Sequence, residues 1–205
     1  MKIYFDGCSW IYGAELENPE EERFSKVLCN DLGAEEYNIS KQGGSNDRIV
    51  RNLLVEQNIE EYDLAVIQMT YPARTEYYKH AWININPKHN YSRWLHRDPY
   101  KHKKVNIDKL KEKFTEYQNF WKEYYTTIIS KTYITTKEKI HYQTIQNHCE
   151  VKKVPVIILT INQWTVTSAH QLNVPTLKYH RYGHPTKESH RVIADYIQKK
   201  LKGIF

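Results

Sequence analysis

The sequence predicts a three-layer α/β/α sandwich built around a mainly parallel sheet, and three observations predict it. Apolar runs of strand length alternate with segments whose apolar residues recur at three- and four-residue spacing. Two of the runs, Asp63–Met69 and Val154–Ile161, are almost continuously apolar, as strands covered on both faces must be. Ser9, Gly43, Thr70 and His184 each follow a predicted strand, on the edge where ligands gather in such sheets.

Taken in order, Ile3–Phe5 is the first strand and runs directly into Asp6-Gly7-Cys8-Ser9. Asn18-Pro19 followed by Glu20, Glu21 and Glu22 opens a helix, because proline suits the first helical position and acids suit the positive end. Its inward stripe is Phe24, Val27, Leu28 and Leu32, and Gly33 stops it. Glu36–Ile39 is a short second strand. Asp47–Gln57 is a second helix with Ile49, Val50, Leu53 and Leu54 inward. After the strand Asp63–Met69, neither period holds from about Tyr71 to Asn106, which reads as a long aromatic and basic excursion over the sheet edge. Asp108 to about Cys149 is helical in composition, with a β-branched run, Thr126–Thr136, that bends or interrupts it. Val154–Ile161 is a further strand and Val174–Lys178 a brief extended piece. Glu188–Leu201 closes as a helix with Val192, Ile193, Tyr196, Ile197 and Leu201 inside. No repeat or linker divides residues 1–205, which read as one domain.

Composition narrows the function classes. No run approaches the ~18 apolar residues of a membrane span, and the N-terminus lacks the pattern of a signal peptide. Cys8, Cys29 and Cys149 are odd in number and scattered, which fits reduced thiols in a cytoplasmic protein. His80, His89, His96 and His102 are spaced too widely for a compact ligand motif, so no metal is expected. The formal charge is +6. Lys, Arg and His residues crowd between Lys79 and Lys113, mixed with Tyr and Trp. That stretch is either a solvated basic face or a surface for a polyanion or carbohydrate.

The chemistry-bearing residues sit at the two ends of the chain. Gly7-Cys8-Ser9 with Gly13 lifts one hydroxyl above the sheet edge, and Gly183-His184-Pro185-Thr186 supplies an imidazole just before the last helix. Between them stand Asn38-Ile39-Ser40-Lys41-Gln42-Gly43 and Gln68-Met69-Thr70-Tyr71-Pro72-Ala73-Arg74. In order and spacing these four blocks resemble those of the SGNH (GDSL-like) hydrolases. The likeness extends over most of the chain but rests on about twenty residues.

The resemblance implies a flavodoxin-like parallel sheet, a serine esterase or acyl hydrolase activity, and no cofactor. By the matching blocks Ser9 is the nucleophile and His184 its base. The amides of Ser9 and Gly43 are oxyanion donors, with Thr70, Gln68 or the Asn46 side chain assisting. Tyr71 and Arg74 are candidate substrate-binding residues, Arg74 toward an acidic group; a surface charge is the other reading of Arg74. Three departures stand out. Cys8 replaces the aspartate of the first block, and a buried structural thiol is favoured for it over a nucleophile. The third block lacks its asparagine. Arg181 occupies the place of the aspartate three residues before the histidine, which leaves a Ser9–His184 dyad whose ring is expected to lean on a backbone carbonyl near Arg181 or Tyr182. Asn46 or Asp47 is the expected helix cap, and His190 is expected on the surface of the last helix or in its first turn. The expected partner is a small-molecule or glycan ester, with an O-acetylated carbohydrate as the family-based choice. A degenerate hydrolase retained to bind nucleic acid or an acidic glycan is the alternative. Membrane association is not expected, and the oligomeric state is not legible.

Overall fold

A computed structural model of the protein describes residues 1–78, 82–85, 119–120, 122–160, 170–171, 177–181 and 183–202. In chain order its elements are β1 (Lys2–Asp6), α1 (Ser9–Tyr12), α2 (Pro19–Glu22), α3 (Phe24–Leu32), β2 (Glu35–Asn38), α4 (Asn46–Arg51) and β3 (Leu64–Met69). There follow β4 (Thr75–Tyr78), β5 (Trp82–Ile85), α5 (Lys131–Val151), β6 (Val156–Thr160), β7 (His170–Gln171) and α6 (Lys187–Leu201).

Five strands pair in parallel in the order β2-β1-β3-β6-β7. Alternate residues of each strand feed opposite layers, as a period of two requires. Ile3, Phe5, Leu64, Val66, Ile157 and Leu159 pack with Leu28 of α3 and Ile193, Ile197 and Leu201 of α6. Tyr4, Ala65, Ile67, Met69 and Ile158 pack on the other face with Ile49 of α4 and Ile145 and Cys149 of α5. The three layers are therefore those the periodicities predict. β1 lies between β2 and β3, so the chain leaves it in opposite directions along the sheet, the switch point beyond whose carboxyl end ligands gather in such folds.

Several elements differ from expectation for physical reasons. The helix expected from Asn18 to Leu32 is two, broken at Arg23, whose backbone is extended. Arg23 forks onto the Glu36 carboxylate at 3.0 Å through both Nε and Nη2. The Phe24 N–H, which a continuous helix would use internally, donates to His190 Nδ1 at 3.1 Å. Past α4 the helix widens into a π-type turn over Asn52–Glu56, which rotates Leu54 out to 40% exposure while Leu53 stays buried. The aperiodic stretch after Tyr71 holds an antiparallel hairpin, β4–β5, in register Thr75 to Ile85. The long helix is interrupted, as the β-branched run suggested, and restarts at the Ser130 cap. The expected helix before 119, most of the aromatic and basic excursion with His80, His89, His96 and His102, and residues 174–176 lie outside the described residues. Among the described residues, no helix is long and apolar enough to cross a membrane.

His190 is fully buried rather than on the helix surface, and its ring stacks on Phe24 at 5.8 Å. Burial, aided by His180, pushes its pKa down to about 4. The unfolded chain, with an ordinary histidine near 6.5, therefore binds the extra proton first as pH falls. The neutral ring's full contribution is present above about pH 6.5 and is lost as pH drops toward 4, about 3 kcal/mol in all. Urea unfolding at pH 7 and pH 4.5 is expected to show a smaller loss of stability for His190→Gln than for the native protein; equal losses would contradict this account.

Candidate active site

The site is assembled from the loops beyond β1, β2 and β3 and from the turn that precedes α6. β1 ends at Asp6, Gly7 makes the turn, and Cys8 is extended, so that Ser9 is the first helical residue of α1. Only glycine fits at position 7: a β-carbon there would lie 2.9 Å from Gln68 Cβ and 3.1 Å from the Gln68 carbonyl. Cys8 is buried, with Sγ toward Gln68 Oε1 at 3.6 Å. Gln68 is itself fully buried; its Oε1 accepts from the Ile11 N–H at 3.3 Å, which ties it to α1, and its Nε2 has no partner among the described residues. Ser9 Oγ lies 3.9 Å from Cys8 Sγ.

The second loop is zipped to the first by its backbone. The Ile39 and Lys41 N–H groups donate to the Phe5 and Gly7 carbonyls at 3.0 and 3.2 Å, extending the β1–β2 pairing past the strands. Gly43 follows with φ of 72°, in the left-handed region, and a β-carbon built there would point into open space. Among the described residues, neither the Ser9 nor the Gly43 amide has a hydrogen-bond acceptor.

An ion pair beneath these loops holds them in register. Asp6 is fully buried: Oδ1 accepts from Arg48 Nη1 and the Gly7 N–H, both at 2.7 Å, and Oδ2 from Asn52 Nδ2 at 2.9 Å and the Tyr4 hydroxyl at 3.3 Å. Burial pushes the Asp6 carboxyl upward, and Arg48 and the amide donors oppose it. Arg48 also donates through Nη2 to the Ile39 carbonyl, so one guanidinium ties the end of β1 to the loop carrying Gly43.

Ser45 caps α4, accepting from the Arg48 N–H at 3.2 Å, where Asn46 or Asp47 was expected. Those neighbours are committed elsewhere. The Asn46 amide grips the Thr70 main chain at both ends, Oδ1 to N at 2.8 Å and Nδ2 to O at 3.1 Å. Asp47 takes Thr75 Oγ1, Lys137 Nζ and His141 Nε2 at 2.6–2.9 Å, binding α4 to β4 and α5. Burial alone would raise its carboxyl, but these partners hold it well below the usual carboxylate range.

Thr70, just past β3, is thereby fixed, and its hydroxyl accepts from Arg74 Nη1 at 2.6 Å. A hydroxyl that accepts from a cation turns its own proton elsewhere, and among the described residues that proton has no acceptor. Arg74 also donates to the Gly44 carbonyl at 3.3 Å and lies over the Tyr71 ring, 5.2 Å from its centroid. Arg74 thus joins the second and third loops.

His184 arrives on a tight hairpin. His180 N–H donates to the His184 carbonyl at 2.8 Å, Gly183 N–H to the His180 carbonyl at 2.9 Å, and Gly183 turns the chain with φ of 84°. Two contacts seat this hairpin on the segment that begins at Ser9. Trp10 packs against Tyr179 at 5.7 Å, and Glu15 Oε2 lies 2.5 Å from His184 Nδ1. The ring nitrogen thus meets a side-chain carboxylate, not the expected backbone carbonyl of Arg181 or Tyr182. Arg181 is exposed, and residue 182 lies outside the described residues. Among the described residues, no hydrogen bond joins Ser9 Oγ to the imidazole; in unliganded enzymes such bonds are often long and tighten with substrate. Glu15 lies outside the four blocks, whose pattern puts the acid three residues before the histidine. A carboxylate just past Gly13, on the serine's own segment, was the available signal.

No protein-family model matches the sequence, and a comparison with curated proteins gives no match either. Solved structures do resemble it. The psychrotrophic esterase EstA from Pseudoalteromonas sp., in a structure inhibited by monoethylphosphonate, superposes with a TM-score of 0.52 at 13% identity, over 98% of this chain and 97% of that one. A lipolytic protein of the G-D-S-L family from Desulfitobacterium hafniense gives 0.43 at 13% identity, over 97% and 98%. The lipase/acylhydrolase from Enterococcus faecalis gives 0.43 at 14% identity, over 98% and 95%. The fold of this chain is that of the Pseudoalteromonas esterase, the α/β fold that the four SGNH-like sequence blocks imply.

Proposed function

We propose that the chain is a serine esterase in which Ser9 attacks an ester carbonyl with His184 as base. The observation that supports this reading is the seating of the His184 hairpin on the Ser9 segment, through Trp10 against Tyr179 and Glu15 against His184. In the reaction, His184 Nε2 takes the hydroxyl proton as Oγ bonds to the carbonyl carbon. The resulting oxyanion is held by the Ser9 and Gly43 N–H groups and by the Thr70 hydroxyl, which Arg74 polarises. Thr70 in this role supplies the donor that the missing third-block asparagine would give. Removing one such donor typically costs about 3 kcal/mol of transition-state stabilisation, so that compensation matters. The imidazolium then returns its proton to the leaving alkoxide as the C–O bond breaks, and water releases the acyl group by the reverse sequence.

The substrate we favour carries a small acyl group, with an acetyl ester of a carbohydrate as the first choice from the sequence resemblance. Tyr71 and Arg74, which follow Thr70 on the third loop, are the proposed substrate contacts, and Arg74 would suit a substrate bearing an acidic group. The test uses p-nitrophenyl acetate and a fluorophosphonate probe. Native protein is expected to hydrolyse the ester and to be labelled at Ser9, and Ser9→Ala to escape labelling. Equal labelling of both proteins would end the assignment.

A further inference from the structure

We infer that Glu15 is the acid that orients His184, replacing the aspartate that the chain lacks at Arg181. For its catalytic consequence the inference rests on the esterase reading above. The carboxylate and Nδ1 are 2.5 Å apart, across 169 residues of sequence, and each side chain is only 22% exposed. A carboxylate can only accept from an imidazole, so Nδ1 carries a proton and, in the neutral ring, Nε2 presents its lone pair. That is the tautomer a base facing Ser9 requires. Among the described residues, no other carboxylate bonds to the ring.

The backbone at position 15 supports a functional reading. Glu15 has φ of 70°, in the left-handed region that glycine adopts freely and a side chain with a β-carbon does not. It stands two residues past Gly13, which ends α1 with φ of 81°. The Ala14 N–H closes the turn on the Ser9 carbonyl at 2.9 Å. A residue chosen only for this turn would be glycine or asparagine; a glutamate there is explained by its carboxylate. One seven-residue segment then carries the proposed nucleophile at its start and, at its end, the acid that the imidazole meets.

Glu15→Gly separates these roles, because it relaxes the backbone while removing the carboxylate. The variant is expected to melt at or above the native temperature yet lose about 10²–10⁴ in kcat on p-nitrophenyl acetate, with KM within about twofold. Formate is expected to restore part of the turnover of Glu15→Gly, but not of Glu15→Gln, where the amide fills the space. Proton NMR of the native protein is expected to show a far-downfield Nδ1–H resonance that disappears in Glu15→Gly and in His184→Gln. Native kcat in both Glu15 variants, or a resonance that survives Glu15→Gly, overturns the inference. Absence of Ser9 labelling in the native protein instead sinks the esterase reading, and the resonance then still decides whether Glu15 holds the ring.

Discussion

Under the proposed mechanism, Ser9→Ala, His184→Ala and the double variant are expected to lose nearly the same turnover, on the order of 10⁶ in kcat, because a nucleophile and its base act as one unit. Once the hydroxyl is gone, the imidazole has no proton to take, and removing it costs nothing further. Once the imidazole is gone, the hydroxyl is left near its unperturbed pKa and attacks poorly. The residual rate reflects ester binding and the amides of Ser9 and Gly43, so KM is expected to hold within a few-fold. Single-turnover measurements on p-nitrophenyl acetate check this. Losses that multiply in the double variant would mean that Ser9 and His184 work in separate steps.

Arg48→Met is expected to be the most damaging single change to stability, at about 3–5 kcal/mol, because it leaves a carboxylate buried without its cation. Asp6 has no access to water and Arg48 is only 9% exposed at its side chain, so solvent cannot replace the lost partner. Asn52, Tyr4 and the Gly7 amide still point at Asp6, but none of them carries charge. The double variant Asp6→Asn/Arg48→Met is expected to recover a substantial part of the loss, which urea titrations of the three proteins would show. Additive losses would mean that the damage comes from the Arg48 tie to the Ile39 carbonyl rather than from the orphaned charge.

Much of the architecture was legible because it depends on periodicity. The alternating inward residues of β1, β3 and β6, and the stripes of α3 and α6, follow from burial alone. What the pattern hid was set by contacts distant in sequence. The break at Arg23 depends on Glu36 and on His190, and nothing local to Arg23 announces it. Leu54 fits a helical stripe, yet one extra residue in the following turn carries it to the surface. His190 looked like a first-turn surface residue because its partner, the Phe24 amide, lies 166 positions away. At the candidate site, Ser9, Gly43 and His184 stand in short blocks that a local reading can single out. By its type Asn46 suits an oxyanion donor or a cap, but the cap is Ser45, and the Asn46 amide spends Oδ1 and one N–H on the Thr70 main chain. Glu15 was invisible for the same reason as His190: the meaning of a side chain can lie wholly in the residue that folding brings to it.

The spans closed by these contacts also bear on the order in which the molecule comes together. Joining Asp6 to Arg48 closes 42 residues, whereas joining Glu15 to His184 closes 169. By chain statistics the larger ring costs only about 1 kcal/mol more entropy. Yet it cannot form until the parallel strands between have found their neighbours, and such non-local pairing is slow. During refolding, helical signal should therefore return before the Glu15–His184 contact does, with the imidazole the last piece to reach its seat.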